Sequence, residues 1–313
     1  MAAWFSFESA TSVLAFAALG LLGAGYLAKG KRKHALRIAG WLAFGAYWPT
    51  QSASFFAIDD PINGYFTLLA PLFFGYLAYH EWLSRKWGED PKALRWVTGT
   101  AVIAAATYFA IYRIPGMTDL TIGTVAHHSS WFLSTFFGVP SHVQVDPTAP
   151  VESRFHIFLD NDPSGSVYAV TIILACTAIQ SIMIFVGAIA CTEKAAPRRR
   201  WLALAYTAPP IYVLNLLRNA GIVYGYKIQG WSCCGMDSFE FMHSWVGKGG
   251  SLLALVLIAL VVFRTLPEMH DNILDLFDLP KRRKPGFFQR PPAVAPATPA
   301  AEPAAQAPIL EGK

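Results

Sequence analysis

Long uncharged apolar runs, separated by short clusters of Lys and Arg, dominate the chain. Seven of them reach the roughly 20 residues that a membrane-crossing helix needs: 8–28, 36–58, 64–84, 95–113, 167–192, 201–226 and 242–265. The pattern predicts an all-α polytopic membrane protein of about seven transmembrane helices with one exported loop subdomain. That loop is the stretch 114–166, between the fourth and fifth runs. It opens with an apolar segment, TVAHHSSWFLSTFFGV, whose length favours an interfacial helix over an eighth span. The remainder, HVQVDPTAPVESRFHIFLDNDPSGS, alternates apolar and polar residues and is broken by Pro and Gly. It predicts a small hairpin or lid over the membrane. The first run lacks a basic leader, so it is expected to stay as a span.

Composition agrees with this pattern. Hydrophobic residues make up 54% of the chain and charged residues 14%, against roughly 25% charged in soluble domains. The positions of the charges then orient the spans. Basic residues cluster at Lys29, Lys31, Arg32, Lys33 and Arg37, at Arg85, Lys86, Lys92 and Arg95, at Lys194 and Arg198–Arg200, and after the last run. The alternate loops hold only Arg154 and Lys227. This alternation places the N-terminus outside and the C-terminus in the cytoplasm. The net charge of +5 is then a topology signal and calls for no nucleic-acid partner. An integral-membrane domain is expected over 1–280. A cytoplasmic tail follows at 281–313, basic at Lys281–Lys284 and Pro/Ala-rich and disordered over 291–308.

Three apolar runs carry residues that do not belong in hydrocarbon. The sixth, in the stretch IYVLNLLRNAGIVYG, holds Arg218 with Asn215 and Asn219 beside it. An intramembrane charge costs roughly 2.5–3.5 kcal/mol on insertion scales and marks function. The fifth holds Cys176, with Gln180 one helical turn on. The seventh opens with FMHSW, which puts His243 near the outer surface, followed by Gly247, Gly249 and Gly250. With alternating span directions, all three groups reach the outer leaflet. Nucleophilic acyl transfer needs such a set: a thiol with a base or cation beside it, a donor for the oxyanion and a proton shuttle. Arginine stays protonated, so it cannot be the base; its place in that set is to hold the oxyanion or the substrate carbonyl.

Cys176 in ILACTAI, Asn215 to Arg218 in NLLRN and His243 in FMHSW, in that order, resemble the exosortase/archaeosortase family of membrane-embedded cysteine transpeptidases. The end of the last run, VVFRTLPEMHDNILDLFDLP, is most similar to the archaeosortase A branch, which can carry arginine where this chain has His243. The resemblance implies catalytic roles for Cys176, Arg218 and His243. Asn215, Asn219 and Gln180, the polar groups beside them, are expected to bind substrate, and no cofactor or metal is expected. It implies as partners exported surface proteins such as S-layer glycoproteins. Their C-terminal sorting tail is a short motif (Pro-Gly-Phe in that branch), a membrane helix and a basic cluster. It also implies a membrane lipid as acceptor. Pro285-Gly286-Phe287 of this chain lacks a following apolar helix and is read as coincidence.

Other residues fit less well. Cys191 falls at the cytoplasmic end of its run. The vicinal Cys233 and Cys234 resist bridging each other and are left for a metal or another partner. His127 and His128 are a weak metal pair. A transporter or channel with Arg218 and Asn215 as its anion site stays open, supported by Pro209-Pro210 within the sixth run. So does a lipid-modifying acyltransferase.

The predicted topology is checked with an impermeant thiol reagent on intact cells, with Cys233 and Cys234 replaced by Ser. A cysteine introduced within 140–160 is expected to label, and one within 291–310 is not. Reversed labelling would put the candidate residues on the cytoplasmic face.

Overall fold

The computed structural model describes residues 2–57, 61–160 and 166–283. Four helices build the N-terminal half: α1 Ala2–Leu27, α2 Arg32–Tyr47, α4 Pro61–Trp87 and α5 Lys92–Arg113. The second predicted span is bent. Pro49 lies in a 3-10 turn, Trp48–Gln51, that ends α2 and leads into the short α3, Ser52–Ala57. Proline supplies no amide hydrogen for the helical ladder, so the helix breaks there. Trp41, Phe44, Leu22, Leu77 and Leu94 form the core of this half.

The apolar segment in the large loop becomes a full helix, α6, Met117–Phe136. It packs against the later helix Ala208–Val223, so it is not an isolated interfacial element. The predicted hairpin is present as β1 Ser141–Val145 and β2 Phe155–Leu159, antiparallel, with Ser141 opposite Leu159. A third strand, β3 Val167–Ile172, pairs with β2. Phe155, Ile157 and Leu159 alternate inward from β2. They pack on Ile122, Val125, Ala126 and Leu133 of α6. The protein is mostly helical, but the expectation of an all-α fold is corrected by this sheet.

β3 also corrects the fifth predicted span. VYAVTI was read as the start of a helix across 167–192. Its β-branched and aromatic residues fit a pleated, half-buried surface, and the neighbouring β2 supplies the hydrogen bonds. A 3-10 turn, Leu174–Thr177, follows, and only Ile179–Ala190 (α7) is α-helical. Twelve residues rise about 18 Å, short of the roughly 30 Å hydrocarbon layer. Gly187 lets α7 press against α5: an added Cβ there would sit 2.8 Å from the Thr100 carbonyl oxygen.

The sixth predicted span is likewise two helices, α8 Pro197–Ala205 and α9 Ala208–Val223. The break falls just before Pro209-Pro210, which occupy the first turn of α9, where missing amide hydrogens cost nothing. The last predicted span begins as the short α10, Ser238–Glu240. It continues through a π-helical stretch, Phe241–Gly247, into α11, Lys248–Thr265. The amphipathic α12, Pro267–Asp278, then folds back so that the Tyr76 hydroxyl donates to the Leu276 carbonyl. Among the described residues, Lys92–Arg113 and Ser238–Thr265 are the helices long and apolar enough to cross a bilayer. Seven spans are therefore not confirmed. The Pro/Ala tail and Pro285-Gly286-Phe287 lie outside the described residues.

At the end of the bundle away from β1–β3, part of the basic pattern is structural. Arg37 is 1% exposed and Glu81 0%. The Glu81 carboxylate meets His34 Nδ1 at 2.5 Å and accepts from Arg37 Nη1 at 3.3 Å. Arg37 also donates to the Gly25 carbonyl and to Asp90, which pairs with Lys33. Burial pushes the Asp90 carboxyl up, but the Lys33 hydrogen bond and the Arg37 charge outweigh it and hold it below the usual range. Its contribution to stability is complete above the ordinary carboxylate range and is lost as pH falls through the lowered value. Glu81→Ala is expected to cost about 3 kcal/mol, because it removes the buried carboxylate shared by Arg37 and His34 and leaves Arg37 only Asp90 as counter-charge. Thermal unfolding in detergent checks this. Replacing Arg37 and Glu81 together by Met is expected to recover part of the loss. An unchanged melting temperature in Glu81→Ala would show that water already reaches the network.

Candidate active site

Cys176 sits in the 3-10 turn between β3 and α7, so a strand delivers it to the start of a half-length helix. Ala178, the residue that caps α7, has φ +58° and ψ +5°. This left-handed conformation costs a non-glycine residue of order 1 kcal/mol and persists only where the surroundings impose it. The amide end of α7 therefore faces the Cys176 turn, with unpaired N–H groups and the positive pole of the helix dipole.

The turn is held from α9. The Cys176 carbonyl accepts from Asn215 Nδ2 at 2.7 Å and from Asn219 Nδ2 at 3.1 Å. Both asparagines are buried. Asn219 Nδ2 also lies 3.2 Å from Ser129 Oγ on α6. Its Oδ1 accepts from Arg218 Nη1 at 3.4 Å. Arg218 Nε donates to the Gly247 carbonyl at 3.3 Å, in the π-helical stretch that carries His243. Two chains of contacts thus run from α9, one to the Cys176 backbone and one to the helix of His243. The His243 ring stacks on Phe239, with centroids 5.3 Å apart and planes 5° from parallel. A side chain at Gly247 would crowd this junction, since an added Cβ would lie 2.9 Å from Ile222 and 3.3 Å from Arg218 Nε.

These contacts link Cys176, Asn215, Asn219, Arg218 and the helix that carries His243. Asn215, expected to bind substrate, hydrogen-bonds the Cys176 carbonyl. Asn219 is the residue that touches both Cys176 and Arg218. Gln180 is exposed on α7 and lines a cavity together with Tyr108 of α5. Cys176 is half-buried, at the edge of the cluster formed by Ile111, Ile122, Leu174 and Leu216. Ser129 was missed, because a serine in an apolar helix carries no signal of its own. So was the Tyr212 hydroxyl, 2.6 Å from His128 Nδ1. His127 Nδ1 lies 2.8 Å from the Gly123 carbonyl oxygen. Cys191 is buried beside Tyr26, away from the turn, and Cys233 and Cys234 are exposed with sulfurs 2.7 Å apart. Among the described residues, no cluster of three His, Cys, Asp or Glu side chains is placed to hold a metal.

The family model described as transmembrane exosortase (Exosortase_EpsH) matches residues 7–262. The chain belongs to the transmembrane exosortase family. It is 27% identical over 298 residues to archaeosortase A of Haloferax volcanii, covering 85% of this chain and 92% of the relative. No solved structure matches it.

The contacts rank the two asparagines. Asn219→Ala leaves Cys176, Ser129 and Arg218 each short of a partner, whereas Asn215→Ala leaves the Cys176 carbonyl its second donor. Asn219→Ala is expected to lower stability by about 1–3 kcal/mol, and Asn215→Ala by less. Thermal unfolding of the purified variants measures both. The reverse order would mean that Asn219 is not the hub of the contacts.

Proposed function

We propose that the chain is a membrane-embedded cysteine transpeptidase. It cleaves the C-terminal sorting tail of exported surface proteins and passes the new carboxyl end to a membrane lipid. The observation that carries this reading is the double amide clamp on the Cys176 carbonyl, because it joins two separate parts of the family pattern, the cysteine and the Asn-x-x-Arg. Family membership and the similarity to a protein named archaeosortase A support it. The tail is Pro-Gly-Phe, a membrane helix and a basic cluster, as on S-layer glycoproteins. The N-terminus lies outside and the C-terminus in the cytoplasm, so the scissile bond meets the turn on the exported side.

In the proposed mechanism the Cys176 thiolate attacks the scissile carbonyl. Arg218, whose planar fork holds two oxygens at once, stabilises the oxyanion. His243 takes the thiol proton and returns it to the leaving amine. The resulting thioester carries the surface protein until a lipid oxygen replaces sulfur.

A tail-processing assay tests the assignment. Cys176→Ala is expected to abolish cleavage while the protein stays folded in the membrane, and Cys176→Ser to be far weaker than wild type. Arg218→Lys keeps the charge but loses the fork, and is expected to lose activity by a factor of roughly 100 or more. Histidine acts as a base only when neutral, so activity is expected to fall on the acidic side. His243→Arg is expected to slow the reaction and remove that acidic limb. Full cleavage by Cys176→Ala would end the transpeptidase reading. Wild-type rates in Arg218→Lys would assign that charge to the fold.

A further inference from the structure

Beside the Cys176 turn, on the side away from α9, lies a cavity of about 800 Å³. That is within the roughly 300–1,000 Å³ of ordinary ligand sites. α4 and α5 form its walls, the 150–153 segment covers it, and Leu174, Ala175 and Gln180 close it toward the candidate nucleophile. Its two ends differ in chemistry. One is aromatic, with Trp48, Phe66, Phe73 and Phe74. The other is polar, with Tyr108, Tyr112, Glu152 and Gln180.

Two observations indicate what fills it. Phe66 and Phe73 line the cavity, yet they are 67% and 52% exposed on the outer face of α4. Their neighbours Leu69 and Leu72 are 55% and 72% exposed. In a transmembrane protein such an unbroken apolar face meets lipid, so one layer of aromatic rings separates the cavity from the bilayer. The second observation is that the same cavity is lined by the polar side chains of Asn63, Tyr112, Glu152 and Gln180, so it offers both an apolar wall and polar partners, as an amphiphile requires.

We propose that this cavity binds a membrane lipid. Its hydrocarbon chain enters between Phe66 and Phe73, and its headgroup oxygens lie at the Glu152–Gln180 end, beside Cys176. On the transpeptidase reading, on which this assignment of role rests, the bound lipid is the acceptor. The binding itself does not depend on that reading.

The test uses the full chain carrying Cys176→Ala, in vesicles of phosphatidylglycerol containing an analogue with a photoactivatable diazirine in one chain. After irradiation, labelled residues are mapped by mass spectrometry. Labelling is expected to concentrate on 66–74 and 108–112 and to saturate with analogue. Ala70 lines the cavity, and Ala70→Trp, which overfills it, is expected to lower that labelling by roughly tenfold or more. Labelling of the exposed Leu252, Leu253 and Leu257 on α11 is expected to stay unchanged, which reports that the variant is folded. Even labelling of both faces, insensitive to Ala70→Trp, would overturn the proposal. So would displacement of the label by a tail peptide, which would give the cavity to the protein substrate. Tail cleavage by the wild-type chain is measured separately. If the cavity labels but no tail is cleaved, the enzymatic reading falls and the lipid site stands. If tails are cleaved but the cavity does not label, the lipid site alone falls.

Discussion

The arrangement of the candidate site depends on a backbone carbonyl that must be satisfied without a helix. Cys176 lies where strand pairing has ended and α7 has not begun, so its C=O has no ladder partner. Asn215 and Asn219 supply the missing donors from α9. In an apolar bundle an unpaired carbonyl costs several kcal/mol, so the clamp fixes the spacing of α9 and the turn together. Arg218 lies between the two asparagines in sequence and is carried to the π-helical stretch of His243 by the same helix. A requirement of backbone chemistry thereby brings three segments of the chain together.

The protein applies the same rule at its other end, with charges in place of amides. Arg37, Glu81 and His34 are buried among α1, α2 and α4, and each finds a partner there. Asp90 and Lys33 extend the network toward the surface. Arg282 bonds Ser84 and Glu89 beside it and ties the segment after α12 to α4. The N-terminal half is thus stapled at one end, while the candidate site occupies the other.

Much of this was legible in the sequence. Apolar runs locate α1, α2, α4, α5 and α11, because a long helix needs little beyond hydrophobicity and length. The hairpin at 141–159 follows from alternation and its Pro-rich connection. Arg218, Asn215, Asn219, Cys176 and His243 stood out as polar groups in the wrong solvent. The sheet's third strand did not, because VYAVTI followed by an apolar run reads equally as the start of a helix. Only pairing with β2 decides it. The clamp that Asn215 and Asn219 place on Cys176 was hidden for a related reason. Helical spacing gives the neighbours on one helix, but the carbonyl they clamp belongs to a segment about 40 residues earlier, across the bundle. The burial of Arg37 was masked by the positive charges around it, which suffice as a topology signal without it.

The shortness of α7 has a consequence for reaction partitioning. On the transpeptidase reading, a nucleophile at Cys176, packed against residues of α5 and α6 at the mouth of a half-length helix, works with restricted access to water. An acyl group carried there would meet each nucleophile in proportion to its local concentration, and a lipid-borne alcohol would then compete with a depleted solvent rather than with bulk water. Transfer and hydrolysis use the same thiol. The length of one helix, by setting how far the thiol stands from bulk solvent, helps decide which of the two prevails.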